Sequence, residues 1–175
     1  STSLLPGEDW RWQTHLANVP VYYEYKDNNV SDMAEIAFTY SDNFKNIWDL
    51  YINNSTCAPG LLGSKAVTDS MAEFALGQCA MVQNGNWAWG QISDVEGNTV
   101  KEEDVKFMPV YVGVAGEENQ GLCTGTENFW CVNSQASEAD QKATLDFVNW
   151  MISSDAGKGY MVNDLGNAAP FTTFG

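Results

Sequence analysis

Two short stretches carry the side chains best suited to hold a ligand. EDWRW runs from Glu8 to Trp12, and GQCAMVQNGNWAWGQI runs from Gly77 to Ile92. Each sets large rings beside groups that make directed hydrogen bonds. A pyranose presents an apolar C–H face and a rim of hydroxyls. It therefore needs a ring to lie against and planar polar groups at its edge. Trp10 and Trp87 are the candidate platforms, with Trp89 as a further ring. Glu8, Asp9 and Arg11 are candidates for hydroxyl recognition, and Asn86 brings an amide to the turn that leads into Trp87. The competing reading of both stretches is that their rings plug the core, as most large rings do.

Other chemistries find little support. His15 is the single histidine, flanked by Thr14 and Leu16, and a lone His is more often structural than catalytic. Gly-x-Ser-x-Gly, P-loop and Gly-x-Gly-x-x-Gly patterns do not occur. Glu102, Glu103 and Asp104 cluster charge but lack the alternate spacing and the glycine of a calcium loop, so they read as a solvated turn. No metal or cofactor is implied. The cysteines Cys57, Cys79, Cys123 and Cys131 are even in number but form no C-x-x-C pair, which argues against zinc. Cys79 and Cys131 sit in apolar runs expected to be strands, where a free Cys acts as a small hydrophobe.

Composition narrows the class further. The 175 residues are 44% hydrophobic and 13% aromatic, which describes a globular chain with a sizeable core. Lys+Arg 8 against Asp+Glu 23 gives a net charge of −15. Such a surface repels phosphate backbones and anionic lipid, so nucleic acid is not an expected partner. No apolar run approaches the ~20 residues of a membrane span.

The elements that must position these side chains can be read coarsely. Residues 10–18 suit a short helix ended by Pro20. Val21 to Lys26 alternates and is rich in β-formers, which predicts a strand turned by Asp27 to Asn29. Ser41 reads as an N-cap, and Phe44, Ile47, Trp48, Tyr51 and Ile52 follow at helical spacing. Cys57 to Lys65 reads as loop, and Ala66 to Leu76 as a helix stopped by Gly77. Cys79 to Val82 reads as a short strand before the polar turn Gln83 to Asn86. Val105 to Val114 reads as a strand pair or bent strand broken at Pro109. Gly116 to Asn128 is Gly-rich and polar, a linker or crossover. Phe129 to Val132 reads as a strand. Ser137 with Asp140 marks a capping box, with Ala143, Phe147, Trp150 and Met151 as the buried face of the helix that follows. Asp155 opens a further helix ending near Asn163. Helices alternating with short strands predict an α/β layered fold.

Two blocks resemble a known family. The first is Phe74, Gly77, Ala80, Met81, Gly85, Trp87 and Ala88; the second is Phe129 to Met161 followed by LGNAAPF from Leu165 to Phe171. Together they resemble the extracellular solute-binding proteins of carbohydrate ABC transporters, the maltose-binding-protein-like group. The resemblance covers residues 70–171 well and 8–69 more loosely. It implies a class II periplasmic-binding-protein-like α/β lobe, with helices packed on a short mixed sheet. It implies that residues 1–120 form the second lobe and that 121–175 cross over and return to the other lobe. Glu127 and Asn128 then border the cleft. The implied role is non-catalytic: sugar binding by lobe closure, then delivery to the permease subunits of an ABC importer. The implied protein is a monomer outside the cell membrane, periplasmic or anchored as a lipoprotein, of which this chain is a piece. Two other classes stay open. One is a glycoside hydrolase using a carboxylate pair such as Glu8 and Glu127. The other is a free-standing glycan-binding module.

Overall fold

Val21 to Lys26, expected as a strand, lies inside a helix. In the computed structural model, which describes residues 2–123, 125, 129–166 and 171–174, α2 spans Val19–Asn28. Pro20 falls in its first turn, where its missing N–H costs nothing. Asn29 ends it in the left-handed region at φ 52°, and its N–H bonds to the carbonyls of Lys26 and Tyr25. Tyr23 and Glu24 are buried on one face. The β-preference of Val and Tyr reports fit to a pleated surface, and here no sheet offers one.

The α/β expectation fails throughout. Among the described residues every regular element is helical, and no strand or sheet is present. Residues 79–82 and 129–132 are irregular. Val105 to Val114 runs without a β-ladder, and at Val112 and Gly113 its backbone is paired by side chains instead. The Val112 N–H bonds to Glu117 Oε2 at 2.7 Å, and the Gly113 N–H bonds to Glu117 Oε1 at 2.7 Å. The Val112 carbonyl accepts from Asn43 Nδ2 at 3.0 Å and Asn46 Nδ2 at 2.8 Å. A buried backbone group must find a partner, and these amides and this carboxylate remove the need for a neighbouring strand.

The chain divides into two compact units, residues 1–123 and 124–175. In the first, α1 (Trp10–Trp12) widens into a π-helical turn, Gln13–Ala17, and α2 follows. α3 (Ser41–Trp48) also continues into a π-helical turn, Asp49–Asn53, with Tyr40 rather than Ser41 at the cap position. The stretch expected as loop holds a 3-10 helix, Pro59–Ser64. α4 (Val67–Ala75) ends before Gly77, whose φ of 70° lets the chain turn away. α5 spans Ala88–Ser93.

Two apolar clusters hold this unit. Leu16, Tyr23, Ile47 and Val112 form one, with Trp12, Tyr40 and Tyr51 against it. Met71, Ala75, Ala88 and Ile92 form the other, joining α4 to α5.

The second unit contains α6 (Glu138–Ser153) and α7 (Asp155–Gly159), followed by a π-helical turn at Tyr160–Asp164. Ser137 Oγ accepts the Asp140 N–H at 3.2 Å, and Ser154 Oγ accepts the Gly157 N–H at 3.0 Å, so each helix carries its own cap. The expected buried face of α6 is met only at Met151. Ala143, Phe147 and Trp150 are exposed, and Phe147 stacks on Trp150 at 5.8 Å between ring centroids. Cys131 is exposed rather than buried in a strand, and Cys79 is half-buried.

Candidate ligand-binding site

The turn before α5 is built around a ring. A Cβ at Gly85 would fall 2.2 Å from the Trp87 indole, so the ring folds back over residue 85 and only glycine leaves room. The Ala88 N–H closes this turn on the Gly85 carbonyl at 3.0 Å. Ala88 and Ile92 face the second cluster, which turns Trp87 outward, 37% exposed. Trp89 instead packs beside that cluster.

Trp10 reaches the same place from the start of α1. Its ring centroid lies 6.2 Å from that of Trp87, with the planes tilted by 35°. His15 completes a three-ring group. It meets Trp10 edge-on at 5.1 Å and Trp87 at 6.4 Å. The widened turn Gln13–Ala17 carries His15 back against Trp10, five residues earlier. His15 Nδ1 lies 3.0 Å from Gln83 Nε2.

The polar members of EDWRW are already engaged. The Glu8 carboxylate accepts the Val67 N–H at the first turn of α4. Asp9 Oδ2 accepts from Gln13 Nε2 at 2.8 Å. Arg11 is only 8% exposed. Its Nε donates to Asn84 Oδ1 at 2.9 Å, and its Cζ lies 4.3 Å from the Trp10 ring centroid. Burial pulls the Arg11 pKa below its ordinary value, partly offset by the charge of Glu8. Asn86 is exposed beside Trp87.

Sequence patterning singled out Trp10 and Trp87 separately; the fold brings them together. It placed Gln83 and Asn84 only within a polar turn, and it read His15 as more often structural than catalytic. The five-residue separation of Trp10 and His15 is the one local hint, and it has meaning only in a widened helix. Glu127 and Asn128 lie outside the described residues. Glu102 to Asp104 form one exposed 3-10 turn. Among the described residues, no three His, Cys, Asp or Glu side chains converge as a metal site. Two open depressions are lined by residues that include Tyr111 and Glu117, and Tyr22 and Lys26; neither includes Trp10 or Trp87. Trp87 is 37% exposed and Trp10 half-buried, so the ring pair reaches the surface.

The family model for bacterial extracellular solute-binding proteins matches residues 2–174. The chain belongs to this family. No curated protein and no solved structure matches it. As a solute-binding protein it serves transport, in a family that generally binds its solute without transforming it. The family acts outside the cytoplasm. Among the described residues, no helix is long and apolar enough to cross a membrane.

Proposed function

We propose that this solute-binding protein takes up a neutral carbohydrate on the Trp10–Trp87 face and passes it unchanged to the membrane subunits of an ABC importer. The Trp10–Trp87 pair, at 6.2 Å, carries the reading. A sugar's C–H face stacks on such a ring, and its hydroxyls need directed polar groups close by. Asn86 is exposed next to Trp87 for that purpose. Charge supports neutrality of the solute. With Asp+Glu 23 against Lys+Arg 8 the surface disfavours anions. The nearest cation, Arg11, is committed to Asn84 and to the Trp10 ring.

One face alone supplies part of a binding cleft. In this reading a second surface closes over the solute, and the contacts made only in the closed state drive the closure. Residues 1–120 then act as one lobe, and 121–175 lead back to the other. The protein works as a monomer, periplasmic or held at the cell surface by a lipid anchor. The hydrolase alternative is weakened because Glu8, its candidate carboxylate, is bonded to the Val67 N–H.

A tryptophan fluorescence titration against neutral mono- and oligosaccharides, repeated on Trp87→Ala, tests this. A saturable change lost in the variant is expected. An equal response in the variant would move the site elsewhere. Turnover of a chromogenic glycoside would make the protein an enzyme instead.

A further inference from the structure

Arg11 is a buried cation beside the tryptophan pair, and its hydrogen bonds all go to the chain itself. Nε donates to Asn84 Oδ1 at 2.9 Å, and Nη1 reaches the Glu8 carbonyl at 3.4 Å. The guanidinium lies over Trp10 at 4.3 Å. A planar fork can lie flat on a ring while its rim makes fixed hydrogen bonds; a lysine ammonium, a point charge on a flexible stem, reproduces neither the flat stack nor the fixed fork.

Asn84 passes the link on. Its Oδ1 also accepts the Gly85 N–H at 3.0 Å, and its Nδ2 donates to Gln91 Oε1 on α5 at 3.1 Å. Trp10, Arg11, Asn84 and the Gly85 turn thus form one connected path from α1 to Trp87. The contact of His15 with Gln83 runs beside it.

We propose that Arg11 is a positioning residue: it fixes the spacing and tilt of the Trp10–Trp87 pair from behind and does not itself touch the solute. Its relevance to transport rests on the reading of that pair as the solute-binding face. The geometric claim stands apart and is tested without any solute.

Two indoles this close couple, and the coupling gives a bisignate exciton signal in far-ultraviolet circular dichroism. The signal is isolated by subtracting the spectrum of Trp87→Phe from that of the wild type. Arg11→Met and Arg11→Lys are expected to lose most of it while keeping helical ellipticity and a cooperative melt. Asn84→Ala removes only the far end of the link and is expected to weaken the signal with Trp10 packing untouched. A full signal in Arg11→Met or Asn84→Ala would overturn the proposal, as would restoration of the signal by Arg11→Lys. If Arg11→Met fails to fold, Asn84→Ala decides alone. Glucose and maltotriose are then titrated into the wild type. If neither perturbs the signal while its dependence on Arg11 holds, the positioning role stands and the carbohydrate reading loses its support.

Discussion

The six-membered part of the Trp87 indole occupies the space that a side chain on residue 85 would need, at 2.2 Å from an ideal Cβ. No positive φ is involved at Gly85, so the requirement is steric. Gly85→Ala is expected to swing the half-exposed ring outward. A ring that can move into solvent relieves the clash cheaply, so the stability loss should fall at or below the low end of the usual overpacking cost, about 1 kcal/mol. The Trp10–Trp87 exciton signal should nevertheless vanish. Circular dichroism with a thermal melt reads both quantities.

Gly157 offers the opposite case. A Cβ there would lie 2.6 Å from Met151 Cα and 2.6 Å from the Trp150 carbonyl oxygen. Backbone atoms of α6 cannot swing away. Gly157→Ala should cost roughly 1–3 kcal/mol and open the α6–α7 corner. Hydrogen exchange in residues 150–160 should accelerate, with α4 and α5 unaffected.

Glu24 is buried, and its carboxylate takes the N–H groups of Ala37 and Thr39. Phe38 between them sits at φ 55°, uncommon for a large residue. Glu24→Ala should cost roughly 1–3 kcal/mol in all, because Ala37 and Thr39 are exposed and water can take over part of their bonding. Glu24→Gln retains one acceptor oxygen and should lose less. Faster amide exchange at Ala37 and Thr39, measured residue by residue, checks the order.

Alkaline pH should weaken the first unit. Burial pushes the Tyr51 and Tyr23 phenols above their ordinary value, and Glu73 raises Lys65 through a hydrogen bond and its charge. A group raised on folding stabilises fully below its unfolded pKa and loses that contribution as pH climbs through the folded one. All three shifts therefore act in the same sense. Stability from these groups should hold through neutrality and fall above pH ~10, the ordinary range for Tyr and Lys. Tyrosinate absorbance should show late-titrating phenols, one fewer in Tyr51→Phe.

Helices were legible where a start and a stop bracketed a regular apolar stripe. Ser137 with Asp140 located α6, Gly77 ended α4, and Ile47 with Ile52 marked the buried side of α3 and the π-helical turn that continues it. The absent sheet was not legible. Val21 to Lys26 carries β-formers, yet Pro20 and Asn29 frame it as a helix, and burial of Tyr23 and Glu24 decided the matter. Val105 to Val114 misled because its partners, Asn43, Asn46 and Glu117, are side chains whose roles depend on tertiary placement. The same holds for the site. Each tryptophan stood out by type, but four consecutive residues, Gln83 to Asn86, gave no sign that Asn84 would bond Arg11. Trp87 and Trp89 differ only in which side of one turn they occupy, and that alone put Trp89 beside the apolar cluster.

The cradle around Val112 changes how this segment answers to mutation. In a sheet, pairing is written in backbone that every residue but proline shares, so a neighbour can be replaced and the ladder persists. At Val112 the partners are two amides and a carboxylate. Each is a single codon's choice, and each can be lost by one substitution without touching the segment it holds. The path of the chain here is thus inherited through residues that a profile of the segment itself would never weigh.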